Sequence, residues 1–86
     1  MNEMSICVFT TRKVVIERSP ILRIVYDDDG DWQFFAENDI PSSQSVMLIS
    51  MDEILQIDKS IEEIMSLLSV GQTACRKSKK SPWIID

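Results

Sequence analysis

The residues whose type and spacing come closest to a chemical site form an acidic turn in the first half of the chain: Asp27, Asp28, Asp29, Gly30 and Asp31. Aspartates at alternating positions open the calcium loop of an EF-hand, and Asp27, Asp29 and Asp31 have that spacing. The match then ends, because Trp32 stands where the loop needs glycine and Asn38 stands where it needs a bidentate glutamate. We predict no dedicated metal site here, with a weak cation site at the turn as the alternative.

Catalytic chemistry finds little support elsewhere in the chain. The sequence contains no histidine, which excludes the usual Ser-His and Cys-His nucleophiles and histidine-ligated metals. A carboxylate acid/base pair needs facing groups in a cleft, whereas these carboxylates cluster at turns and helix starts. We therefore predict a non-enzymatic protein without catalytic residues and without a cofactor.

The two cysteines, Cys7 and Cys75, are far apart and belong to no CxxC pair. Neither a zinc site nor a redox motif is therefore indicated. Because free cysteine behaves as a small hydrophobic residue, we predict two buried thiols.

Length and charge limit the remaining classes. The 86 residues suit one domain covering residues 1–86, and 44% hydrophobic with 27% charged residues is ordinary for a globular chain. The net charge of −5 argues against nucleic acid as a partner, and no apolar run is long enough to span a membrane. The basic run at residues 76–80 fits a solvated loop between two final strands. We expect a cytoplasmic protein.

The acidic turn is predicted to join two strands. Asp-Gly is a strong hairpin signal, and the flanking residues 21–26 and 32–36 are rich in β-branched and aromatic side chains. Alternation places Trp32 and Phe34 on one side of the sheet and Gln33 and Phe35 on the other. We assign Trp32 and Phe34 to the core, while Phe35 would contact a partner if its side of the sheet is uncovered.

The other elements follow from short apolar runs and capping signals. Strands are predicted at residues 6–9, 14–16, 46–49, 72–75 and 83–85. Ser-x-x-Glu capping boxes begin at Ser50 and at Ser60, although Asp58 could cap the second helix instead. An apolar stripe at helical spacing comprises Ile61, Ile64, Met65 and Leu68, and Gly71 is the predicted C-cap. The sum is an α+β domain, with an antiparallel sheet of about six strands packed against one main helix.

Residues 37–45 contain turn formers without an apolar period, so they are predicted to form a surface loop. Loops of this length often carry binding residues, because a rigid scaffold presents them to partners. We therefore include this loop among the candidate contact surfaces.

Four short motifs give the chain a family resemblance. They are Thr11-Arg12-Lys13-Val14, the segment from Gly30 to Glu37 around Trp32, Phe34 and Phe35, Asp58-Lys59-Ser60-Ile61, and the segment from Gly71 through Ala74 to Arg76. In this order they resemble the bacterial immunity protein thirty-three family, formerly a domain of unknown function, from polymorphic toxin systems. The resemblance implies a single domain that binds and neutralises a toxin. It carries over no catalytic residue.

The acidic surface independently fits a protein-binding role, because carboxylates steer association with basic partners. The predicted partner-binding residues are Asp27, Asp28, Asp29, Asp31, Phe35, Glu37, Asn38 and Asp39, which we expect on neighbouring loops. The partner would be a protein, with a toxin and a second copy of the chain as candidates. The alternative is a small-ligand-binding or regulatory domain, which predicts a partly apolar cavity beside Phe35.

Overall fold

A computed structural model describes residues 6–86. Its elements, in chain order, are β1 (Cys7–Thr11), α1 (Arg12–Val15), β2 (Arg23–Tyr26), β3 (Trp32–Phe35), β4 (Val46–Ser50), α2 (Met51–Ile57), α3 (Ile61–Met65), β5 (Gln72–Cys75) and β6 (Ile84–Ile85). Over these residues the chain is thus a small domain with a six-stranded sheet and three short helices. None of the helices within residues 6–86 has the length and apolar character needed to cross a membrane.

The strands form one mixed sheet in the order β4-β1-β3-β2-β5-β6. The predicted hairpin is confirmed, since β2 and β3 pair antiparallel with Ile24 opposite Phe34 and Tyr26 opposite Trp32. Strand β1 runs parallel to β3, with Phe9 opposite Gln33, and antiparallel to β4. The predicted all-antiparallel sheet is therefore wrong at its centre, because the first strand is inserted between two later ones.

The predicted strand at residues 14–16 is also wrong. Residues Arg12–Val15 form the helical turn α1, in which the Ile16 amide donates to the Arg12 carbonyl at 2.8 Å. The turn buries Val14 completely. Strand preference of β-branched residues reflects how they pack, so burial of Val14 in this turn outweighs it.

One side of the sheet is covered and contains the core. Five strand side chains that point to this side are fully buried: Val8, Thr10, Ile24, Phe34 and Ala74. The helices and the segment after α3 add six more residues to the apolar cluster: Val14, Met51, Ile54, Ile61, Ile64 and Leu68. The α+β class is compatible with this arrangement, but the helical residues are divided among three short helices and one main helix is not seen.

The two predicted helix starts differ in their capping. At Ser50 the capping box is confirmed, because the Glu53 amide donates to Ser50 Oγ and the Ser50 amide donates to Glu53 Oε1, each at 3.2 Å. Ser60 makes no side-chain cap. Its amide and hydroxyl instead donate to Asp58 Oδ1 at 3.0 and 2.6 Å. The alternative at Asp58 is therefore the one that holds the start of α3.

Gly71 takes the positive φ predicted for it, at 89°, but not as a helix cap. Helix α3 already ends at Met65, and Gly71 directly precedes β5, where its amide donates to the Tyr26 carbonyl at 2.6 Å. A Cβ at this position would lie 2.8 Å from Asp28 Oδ1. Glycine is thus required where the chain enters β5 beside the acidic turn.

The continuous apolar run at residues 46–49 favours a buried strand, but β4 is an edge strand. Ile49 is buried on the core side, whereas Val46 and Leu48 alternate with it and are exposed. A continuous apolar run cannot by itself distinguish a central strand from an edge strand with one uncovered face.

Candidate functional site

The acidic turn is organised by Asp27. Its Oδ1 accepts hydrogen bonds from the amides of Asp29 and Asp31 at 2.9 and 3.0 Å, and its Oδ2 accepts one from Gln33 Nε2 at 2.9 Å. The Asp31 amide, together with Gln33 and the Asp29 amide, holds the pKa of Asp27 below its ordinary value. Gly30 supplies a φ of 84°. Asp27 therefore shapes the turn and keeps its charge at neutral pH.

The remaining aspartates of the turn, Asp28, Asp29 and Asp31, are exposed. We call them the acidic tip. Below the tip, the rings of Tyr26 and Trp32 stack across the hairpin with centroids 3.9 Å apart and planes 6° apart. A fixed backbone and a stacked aromatic base hold the three carboxylates beyond the end of the sheet, where they can attract a cationic surface.

The second half of the predicted site does not join the tip. Glu37, Asn38 and Asp39 follow the far end of β3, and the six residues from Asp31 to Glu37 place the two groups about 20 Å apart. They lie at opposite ends of one strand, so the expectation of neighbouring loops is wrong. The predicted contact residues divide into two separate surfaces.

Two of these residues are also buried. Asp39 is 7% exposed, and its Oδ2 accepts hydrogen bonds from Thr11 Oγ1 and from the Ala36 amide. Phe35 is 4% exposed, with the Arg23 guanidinium 4.5 Å above its ring. Glu37 and Asn38 are exposed, and Asn38 adopts a positive φ of 54°. Asp39 therefore stabilises its loop, and Phe35 is shielded on its side of the sheet.

The sheet side opposite the core carries many exposed side chains, and we call it the open face. Its members follow from strand alternation and the pairing registers: Cys7 and Phe9 on β1, Val46 and Leu48 on β4, Gln33 and Phe35 on β3, Arg23 and Val25 on β2, Thr73 and Cys75 on β5, and Ile84 on β6. Leu48 is 60% exposed and Ile84 is 66% exposed. Sequence analysis raised an open side only for Phe35, because strand order was needed to collect the other residues on one surface.

Both cysteines lie on this open face and are exposed, so the prediction of two buried thiols is wrong. Each occupies the strand position that alternation turns away from the core, next to a fully buried neighbour, Val8 or Ala74. Two strands, β3 and β2, separate β1 from β5, which puts the cysteines too far apart for a disulfide within the chain.

Two depressions border the open face. One of about 290 Å³ lies beside Phe35 and is lined by Phe9, Thr10, Gln33, Phe35, Pro41 and Val46. A larger one of about 540 Å³ lies at the far end of β3 and is lined chiefly by Leu22, Arg23, Glu37, Asn38, Cys75 and Lys77. The first has the location that the ligand-binding alternative predicted, and its volume lies at the lower limit for small-molecule pockets.

Charge is segregated along the strands. The acidic tip and the Asp86 carboxylate lie at one end of the sheet, which we call the acidic end. At the opposite, basic end lie the cationic residues that follow β1 and β5: Arg12, Lys13, Arg76, Lys77, Lys79 and Lys80. They outnumber the acidic residues Glu37, Asp39 and Asp58 at that end. The molecule therefore has two oppositely charged ends, although its net charge is −5.

Arg76 is the one residue of the basic run that is buried, which corrects its assignment to a solvated loop. It donates from Nη2 to Asp58 Oδ2 at 2.8 Å, from Nε to the Ile21 carbonyl at 3.0 Å and from Nη1 to the Lys79 carbonyl at 3.0 Å. The Trp83 ring lies 4.3 Å below its guanidinium. Arg76 thus holds the basic loop in place while its lysines stay exposed.

Within the described part of the chain, no group of three or more histidine, cysteine, aspartate or glutamate side chains could hold a metal ion. The acidic tip therefore does not form a coordination cluster.

Comparisons with known proteins found no matching protein family, no matching curated protein and no matching solved structure.

Proposed function

We propose that this chain is a non-enzymatic, cytoplasmic protein-binding domain of the immunity type, which neutralises a toxin by direct contact. The observation that carries the proposal is the acidic tip. Three exposed carboxylates are held by a turn that Asp27 and Gly30 fix in advance. A surface that is already ordered before contact loses little conformational entropy on binding.

The chemistry of the tip defines the partner. Asp28, Asp29 and Asp31 form a negatively charged surface the size of one hairpin turn. Such a surface complements the basic substrate groove of a nuclease-type toxin. Blocking such a groove requires only binding. The family resemblance of the sequence supports the same role.

The small-ligand alternative is favoured by the depression beside Phe35. It places the binding groups on the open face, in contact with Phe9 and Val46, and it gives the acidic tip no role. Substitutions at the tip therefore separate the two proposals.

The first experiment is a pull-down from a lysate of the source cells with tagged protein, at low and at moderate salt, followed by mass spectrometry. The supporting result is a stoichiometric protein that is lost at moderate salt and whose toxicity the chain suppresses when the two are co-expressed. Recovery of no partner from a lysate that contains the product of the neighbouring gene would contradict the proposal.

A further inference from the structure

The chain covers Phe35 on the open face but leaves the apolar side chains near both edges of this face exposed. Val46 and Phe9 are 41% and 38% exposed, and Leu48 and Ile84 are more exposed still. These side chains lie on β4 and β1 at one edge of the sheet and on β6 at the other, with the exposed Cys7 and Cys75 on the same face. Exposed apolar side chains gathered on one face of a sheet indicate an interaction surface.

The strand side chains of the open face carry little charge. Arg23 is its one charged strand residue, and the guanidinium lies against the Phe35 ring. The cross-strand neighbours of Arg23 are Phe35 and Cys75, both uncharged at neutral pH. Two copies that approach face to face would therefore bring one charged strand residue each, Arg23, into the contact.

The charged ends select one orientation of two such copies. If the strands of the two sheets run in opposite directions, each acidic end lies beside the basic end of the other copy. If the strands run in the same direction, the acidic ends meet, which is unfavourable. With opposed strands, a twofold axis relates the two copies and places both acidic ends beside basic ends.

We propose that the open face is the interface of a homodimer, in which two sheets pack face to face with opposed strands. Cys7, Phe9, Leu48, Cys75 and Ile84 become covered in this dimer. The acidic tips extend beyond the sheets at opposite ends, so their outer sides remain available to other proteins. The depression beside Phe35 offers room for an apolar side chain of the second copy.

The size of the face indicates a reversible dimer. Six strands about 4.8 Å apart and about 15 Å long cover a flat area of roughly 400 Å². Standard interfaces bury about 800 Å² of accessible surface per partner, and the roughness of side chains and the flanking loops must supply the difference. We therefore expect a dissociation constant in the micromolar range.

The test is sedimentation velocity over a concentration series of the full chain, up to about 0.5 mM to bracket a micromolar constant. Leu48→Arg places a charge on the exposed side of edge strand β4, within the proposed interface. Leu67→Arg is the matched control, because Leu67 is 63% exposed against 60% for Leu48 and lies outside the sheet, after α3. We expect Leu48→Arg to raise the dissociation constant at least about tenfold and Leu67→Arg to leave it unchanged.

A substitute variant, a labelling experiment and a salt series complete the test. Ile84→Arg replaces Leu48→Arg if circular dichroism shows loss of structure. In the wild-type chain, maleimide labelling of Cys7 and Cys75 should slow as concentration rises through the dimerisation range. Added salt should weaken the dimer, because opposite charges face each other.

A wild-type chain that stays monomeric throughout the series overturns the proposal, even if it binds a toxin through the acidic tip. Equal weakening by Leu48→Arg and Leu67→Arg overturns the assignment of the interface to the open face. A dimer that strengthens with salt overturns the opposed orientation, because added salt relieves repulsion between like ends.

Discussion

Arg76 and Asp58 form a buried ion pair, with Arg76 Nη2 donating to Asp58 Oδ2 at 2.8 Å and both side chains at most 7% exposed. The pair joins the residue after β5 to the residue after α2. Its polar groups are well satisfied, since Ser60 donates to Asp58 and the Ile21 and Lys79 carbonyls accept from Arg76. Such completeness is what allows a buried pair to offset its desolvation cost.

Removing one partner of this pair should be strongly destabilising. We expect Arg76→Met to lower the free energy of unfolding by about 3–5 kcal/mol, because Asp58 would be left buried without its cation. The Asp58→Ala/Arg76→Met double variant should lose less than the sum of the single variants. Urea denaturation measures the free energy of unfolding of the two single variants and the double variant. The exposed Lys77→Met variant is the control and should lose less than about 0.5 kcal/mol. Additive losses would show that the two residues act independently.

The same pair gives stability a pH dependence of known sign. Burial raises the pKa of Asp58, but the hydrogen bonds from Ser60 and Arg76 outweigh burial and hold the pKa below its ordinary value. Stability from this group is therefore complete above the unfolded pKa of about 4 and is lost as pH falls through the lower folded value.

Asp58→Asn removes the titrating group and should flatten the acid limb of the stability curve. The measurement is the urea midpoint from about pH 7 to about pH 3 for both proteins. Asp27, whose pKa is also lowered, titrates in the same direction in both, so the difference between the curves isolates Asp58. Parallel curves would contradict the assignment.

The order of the acidic turn should depend on Asp27 and not on its neighbours. We expect Asp27→Ala to speed hydrogen exchange at the Asp29 and Asp31 amides, because both donate to the Asp27 carboxylate. Asp28→Ala removes a carboxylate that does not hold those amides and should leave both rates unchanged. Exchange followed by NMR distinguishes the two variants, and an equal effect of both would assign the order of the turn to other contacts.

Charge reversal at the acidic tip tests the docking site. With a verified basic partner, we expect Asp28→Lys/Asp29→Lys to slow association by about tenfold and to flatten its dependence on salt. Glu62→Lys/Glu63→Lys is the matched control, because it makes the same change in net charge on the exposed surface of α3. Stopped-flow rates that fall equally for both pairs would show an effect of net charge rather than of the tip.

Local patterns in the sequence predicted the local structure well. The Asp-Gly turn, its two strands and the capping box at Ser50 depend on neighbouring residues, and all are confirmed. The parallel contact of β1 with β3 could not be read from the chain, because it depends on which strands meet in space.

Burial of polar residues was missed for the same reason. Arg76 belongs to a run of cations that is typical of solvated loops, and its partner Asp58 lies 18 residues away. Asp39 resembled its exposed neighbours, yet Thr11, 28 residues away, donates to it. In both cases the decisive partner is distant in sequence, so no local pattern could identify it.

The position of β1 also fixes the order in which the sheet can assemble. Its partners across the sheet, Gln33 for Phe9 and Ile49 for Val8, are made much later during synthesis. Of the pairings among the first four strands of the described sheet, the β2–β3 hairpin joins adjacent segments and can close early. The first strand must then wait, unpaired, until β3 has left the ribosome, and its other edge waits for β4, so a chaperone that binds extended apolar segments would shield it during that interval.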